Sequence, residues 1–178
     1  ITNWEDEKLN LKPKLLRGIY SYGFENPSSI QKKSLYPMTS DMDKKNHKLK
    51  DIIAQAQSGT GKTGAFGIGT LQIIDEDALS TQALILAPTH ELASQIKQVL
   101  SSIGIYLKLN IKLLVGGVPV EKDREEIENN NPHIVIGTPG RIQDMIRRKY
   151  LSTKDLKLIV LDEADEMLSS GFNEQVYK

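Results

Sequence analysis

The chain has 178 residues, a length that suits one domain with a substantial core. Its 39% hydrophobic and 26% charged residues, with 23 basic side chains balancing 23 acidic ones, describe an ordinary globular protein and exclude a globally cationic surface, though not a local basic groove. It has no cysteine, which excludes disulfides and thiolate metal sites and suits a reducing compartment. The longest apolar runs fall far short of the roughly 18–20 residues that cross a bilayer, so no membrane role is expected. The start, ITNWEDEKL, is acidic and unlike a secretory signal, and lacks an initiator Met, so the chain is read as a piece of a longer protein.

In chain order, residues 11–36 predict two helices split by YGFENPSS, where Gly23 and Pro27 break the pattern and Ser28 or Ser29 caps the second. The lysine-rich stretch at 39–50 predicts a solvated loop. DIIAQA (51–56) is the first of several short aliphatic runs. QALILA (82–87), IKLLV (111–115), HIVIG (133–137) and LKLIVLD (156–162) follow. None alternates with polar residues, which predicts strands buried on both faces. Helical spacing fills the gaps at about 61–74, 89–103, 119–129 and 140–149. This alternation predicts right-handed crossovers and an α/β fold, an open parallel sheet with helices on both faces. Ligands of such sheets bind beyond the carboxyl ends of the strands. Those ends carry QSGTGKT, PTHELA, GGVP, TPGR and the acids of DEADE, all expected on one edge.

Ala56, Gln57, Ser58, Gly59, Thr60, Gly61, Lys62 and Thr63 follow a strand and open a helix. Gly59 and Gly61 let the backbone curl so that successive N–H groups face a phosphate. The helix N-terminus adds its dipole. Lys62 would reach the β- and γ-phosphates, and the Thr63 hydroxyl would ligate Mg2+. The first glycine of the general phosphate-loop pattern is Ala56 here; spacing and strand–helix context restore the match. Asp162, at the end of a buried strand, is the natural metal-side carboxylate, acting partly through water. Glu163 can orient or deprotonate an attacking water. Glu166 reads as an acid in a first helical turn.

The phosphate loop together with DEAD at 162–165 resembles the N-terminal RecA-like P-loop domain of the DEAD-box ATP-dependent RNA helicases, over about Leu11 to Lys178. The strings LLRGIYSYGF, IAQAQSGTGKT, QALILAPT and LDEADEML are most similar to the translation-initiation branch of that family. The resemblance implies N-terminal helices with an adenine-reading motif over 1–36 and an ATP-binding domain over 37–178. It gives Gln31 and Phe24, in GFENPSSIQ, the adenine edge and face. It gives the RNA backbone to Pro88, Thr89, His90 and Glu91, to Gly116 and Gly117, and to Thr138, Pro139, Gly140 and Arg141. Amides, hydroxyls and one charge of this kind can hold phosphates without reading bases. It makes Asp165 a coupling residue to a Ser-Ala-Thr motif beyond Lys178.

Two departures stand out. His90 replaces the family's usual arginine, and the 39–50 loop is longer than in the initiation branch. The implied activity is ATP hydrolysis coupled to local RNA unwinding. The implied ligands are ATP, Mg2+ and single-stranded or short duplex RNA. The implied partners are a second RecA-like domain and a helical scaffold of the initiation complex, in the cytoplasm or, for some relatives, the nucleus. On this view the chain alone hydrolyses ATP poorly. An ATP-gated RNA clamp serving as an assembly platform shares every site residue. A P-loop ATPase acting on DNA or protein is the more distant alternative.

Overall fold

The computed structural model describes the backbone of residues 11–22, 50–54 and 60–162, and the side chains of 11–22 and 66–161. The second N-terminal helix and most of the 39–50 loop fall outside these. The elements are α1 (Pro13–Tyr22), β1 (Lys50–Ala54), α2 (Thr60–Ile73), β2 (Ala83–Leu86), α3 (His90–Ile103), β3 (Ile111–Leu114), α4 (Val120–Asn129), β4 (Ile134–Gly137), α5 (Pro139–Arg147) and β5 (Leu158–Asp162). The strands form one sheet in the order β1-β5-β2-β4-β3, and every neighbouring pair is parallel. The expected fold class is the observed one. The expected strands at 82–87, 111–115, 133–137 and 156–162 overrun the observed ones by up to two residues, since apolar character outlasts the ladder, and β1 begins one residue before the expected 51.

The aliphatic runs of β2, β4 and β5 are unbroken because these strands bury both faces. Ala83 and Ile85, Ile134 and Ile136, and Leu158 and Val160 face one core, with Leu15 and Ile19 of α1, Leu71 of α2 and Ile96 and Leu100 of α3. Leu84 and Leu86, Val135 and Leu161 face the other, with Ile127 of α4 and Ile142 and Met145 of α5. Successive strand side chains point to opposite faces, so one four-residue strand feeds both cores.

α1 lies against α3 so closely that a Cβ on Gly18 would stand 1.7 Å from the Ile103 carbonyl oxygen. The Lys12 ammonium caps the C-terminal end of α2, donating to the carbonyls of Leu71 at 3.3 Å and of Ile74. Burial draws its pKa below the usual lysine value, with the Glu76 charge opposing.

The amino edge of the sheet is closed by side chains. Gln82 accepts from the Asp75 N–H at 2.8 Å and donates to the carbonyls of Asp75 and Ala78 at 2.9 and 3.1 Å. His133 accepts at Nδ1 from the Asn110 N–H at 3.1 Å, so its proton sits on Nε2, 3.1 Å from the Glu76 carbonyl oxygen. Among the described residues no helix is long and apolar enough to cross a membrane.

Candidate nucleotide and nucleic-acid site

The carboxyl edge divides in two. At one end β1 and β5 lie side by side, with Ala54 in register with Asp162. α2 starts at Thr60, soon after β1 ends. Gly61, Lys62 and Thr63 therefore occupy the first turn of a helix whose N–H groups and dipole open on this edge. The last residue of β5, Asp162, leaves the sheet beside the exit of β1. A hydroxyl at position 63 and a carboxylate at 162 are hard oxygen donors of the kind Mg2+ takes. Phe24, Gln31, Ala56, Gln57, Ser58, Gly59, Glu163 and Asp165 lie outside the described residues.

At the other end β2, β4 and β3 are consecutive neighbours. Their exits bring PTHELA, TPGR and the Gly116–Gly117 turn together. Pro88 is half-buried, whereas Thr89, His90 and Glu91 are exposed. Thr89 is the N-cap of α3, and its hydroxyl accepts from the Leu92 N–H at 3.2 Å. Glu91 sits in the acid-favouring first turn. Thr138 is the N-cap of α5 but makes no side-chain cap bond, and Pro139 follows as the first helical residue. The Thr138 hydroxyl and the first-turn N–H groups of Gly140 and Arg141 thus have no partner within the helix.

Three glycines of this region are open. A Cβ on Gly116, Gly117 or Gly140 would meet nothing within 4 Å. Gly117 has φ +89, which a side chain resists, but the internal packing of the protein does not require glycine at 116 or 140. A bare backbone at the mouth of a sheet lets a ligand approach closely.

Arg141 has partners within the protein. Its Nη1 donates to Asp123 Oδ2 at 2.8 Å, and its Nη2 donates to the Val118 carbonyl at 2.7 Å. The other oxygen of Asp123 lies 3.1 Å from Lys112 Nζ, which also pairs with Glu126. The Arg141 and Asp123 side chains are 11% and 2% exposed. Sequence reasoning passed over Asp123, which sits inside the charge run EKDREEIE and looks solvated there. The signal that finds it is its place on the apolar stripe, four residues before the buried Ile127.

A DEAD/DEAH box helicase family profile matches residues 28–178. The chain belongs to the DEAD/DEAH box helicase family. Within this family it is 52% identical over 171 residues to the ATP-dependent RNA helicase eIF4A of Scheffersomyces stipitis, covering 96% of this chain and 41% of that one. The eIF4A of Candida albicans matches with the same identity and coverage. The chain thus spans about two fifths of the length of these relatives. A structure of S. cerevisiae Dbp5 bound to RNA and ADP BeF3 superposes with TM-score 0.81 at 37% identity, over 96% of this chain and 41% of that chain. A DEAD box protein from the hyperthermophile Methanococcus jannaschii gives TM-score 0.82 at 36% identity, over 99% of this chain and 46% of that chain. These neighbours carry the RecA-like DEAD-box domain, which is the fold of this family member.

Proposed function

We propose that this chain is the nucleotide-binding half of an ATP-dependent RNA helicase, serving translation initiation in the cytoplasm. The observation that carries the reading is the division of one sheet edge. The β1–β5 end bears the phosphate-loop helix and Asp162. The β2–β4–β3 end bears a bare-backbone, hydroxyl-bearing surface suited to phosphodiesters. A ligand pair bridging the two ends senses both at once. The similarity to eIF4A supports the translation-initiation branch.

In this reading Gly59 to Thr63 cradle the triphosphate of ATP, Gln31 and Phe24 hold its adenine, and Glu163 orients the attacking water. Thr63 and Asp162 would hold Mg2+, which supplies charge neutralisation at the transferring phosphate. Thr138, Gly140 and the Gly116–Gly117 turn hold the RNA backbone through amides and hydroxyls, so binding is sequence-independent. Thr89, His90 and Glu91 flank that track, and Asp165 couples the nucleotide to a second RecA-like domain. A helical scaffold protein is the partner class.

The test is ATP turnover by the intact protein alone, with single-stranded RNA, and with DNA of the same sequence. Stimulation by RNA only is expected, since discrimination against DNA rests on the 2′-hydroxyl. Equal stimulation by DNA, or none by either, overturns the reading. Lys62→Ala is expected to weaken nucleotide binding. Glu163→Gln is expected to keep binding and to slow hydrolysis by about 10²–10⁴.

A further inference from the structure

A guanidinium at the start of a helix on an RNA-facing edge invites the role of phosphate ligand, and the Arg141 geometry speaks against it. The Arg141 charge is met at 2.8 Å by a carboxylate that is itself almost wholly buried. An approaching phosphate would meet a neutralised pair and would be repelled by the Asp123 oxygens. The second prong of the fork, Nη2, is turned toward the Val118 carbonyl, directly after the Gly116–Gly117 turn. Planar, two-pronged donation of this kind fixes geometry as well as charge.

Three pieces of backbone converge on this pair. α5 brings Arg141, α4 brings Asp123 in its first turn, and the loop after β3 brings Val118. Lys112 on β3 holds the remaining Asp123 oxygen at 3.1 Å. β3 is the last strand of the sheet, paired only with β4 among the described strands. Val118 of the loop behind it packs on one core, and Val120, at the start of α4, on the other. The ion pair adds a polar anchor that ties the loop after the glycine turn to the first turn of α5.

We infer that Asp123 is a positioning residue for RNA: it holds Arg141 as a strut between the Gly116–Gly117 turn and the start of α5, so that amides and hydroxyls on both grip consecutive phosphates. The inference rests on the RNA-binding reading above.

The two roles for Arg141 differ in sign. If Arg141 were a direct phosphate ligand, Asp123→Asn would release its charge and strengthen RNA binding. If Arg141 is a strut, the same near-isosteric change loosens the edge and weakens binding. The experiment is anisotropy of a labelled single-stranded oligoribonucleotide with the intact protein and a non-hydrolysable ATP analogue, across a salt series. RNA affinity is expected to fall about tenfold in Asp123→Asn. The slope of log K against log salt is expected to hold, because no phosphate contact is lost. In RNA-stimulated turnover the KM for RNA rises while kcat at saturating RNA holds, a split that general destabilisation would not produce. Arg141→Lys provides a second variant should Asp123→Asn fold poorly. It keeps the charge but not the fork, so a strut fails and a phosphate ligand survives. Unchanged or tighter RNA binding in Asp123→Asn, or full affinity in Arg141→Lys, overturns the inference alone. Absence of RNA binding by the unmutated protein overturns the functional reading and the inference with it.

Discussion

α3 and α5 both begin where an interior strand reaches the carboxyl edge, α3 from Ala87–Pro88–Thr89 and α5 from Gly137–Thr138–Pro139. Each has threonine at its N-cap. In α3 the threonine serves the fold, because its hydroxyl takes the Leu92 N–H. In α5 it takes no helix N–H, and a proline at the first position supplies the helical φ instead. One residue type at equivalent places thus does structural work in one helix and stays available to a ligand in the other. The difference lies in which partner the hydroxyl meets, and the letters alone do not reveal it.

The residues where the two strands give way to these caps make the largest test of this contrast. Ala87 is fully buried and donates its N–H to the Gly137 carbonyl at 3.0 Å. It carries a methyl group without conflict. A methyl on Gly137 would stand 1.9 Å from the Leu114 carbonyl oxygen, a backbone atom of the neighbouring strand β3. Gly137→Ala is therefore expected to cost about 2–3 kcal/mol as β3 and β4 are forced apart. Denaturant unfolding of the chain measures it. A loss below about 0.5 kcal/mol, the range of ordinary surface changes, would mean that the two exits are not built differently after all.

The threonines come next. Thr89→Ala removes a cap bond and is expected to cost about 1 kcal/mol. In a domain of this size that lowers Tm by roughly 2–4 °C. Thr138→Ala removes no such bond and should stay within about 0.5 kcal/mol of the unmutated protein. Its expected effect is on RNA affinity, measured by the same anisotropy titration. If both variants lose stability equally, the Thr138 hydroxyl caps α5 in solution and the contrast fails.

Much of the sheet was legible because its strands are buried on both faces, and a fully buried strand reads as an unbroken aliphatic run. ALIL at 83–86 and IVIG at 134–137 are recognisable for that reason. The edge strand IKLL at 111–114 is only partly buried, yet its aliphatic residues still marked it. The helix after β1 was legible from its spacing and its place between two aliphatic runs. The ion pair that organises the far end of the edge was not. Arg141 and Asp123 lie on different helices, and a long-range pair leaves no local pattern in either segment. Asp123 also sits among Glu121, Arg124, Glu125 and Glu126, where one buried acid is hidden by its exposed neighbours. Lys149 was equally hidden, with φ 62 in a position that glycine usually fills after a helix.

Gly140 gives the smallest change in stability and separates fold from function most sharply. It is the second residue of α5, exposed, and a methyl group there would touch nothing within 4 Å. Alanine loses less backbone freedom on folding than glycine, so Gly140→Ala is expected to stabilise the chain by about 0.5 kcal/mol. If the open start of α5 holds RNA, the same methyl group stands between a phosphate and the N–H groups behind it. RNA affinity should then fall while stability rises. α3 offers the control, because the corresponding first-turn residue there is already Glu91, exposed and bearing a side chain. The packing of the folded state gives no reason for glycine at 140. Opposite signs in unfolding and in RNA titration would identify this residue as one that serves the ligand. Matching signs, or tighter RNA binding, would return Gly140 to the fold and leave the RNA track to the Gly116–Gly117 turn.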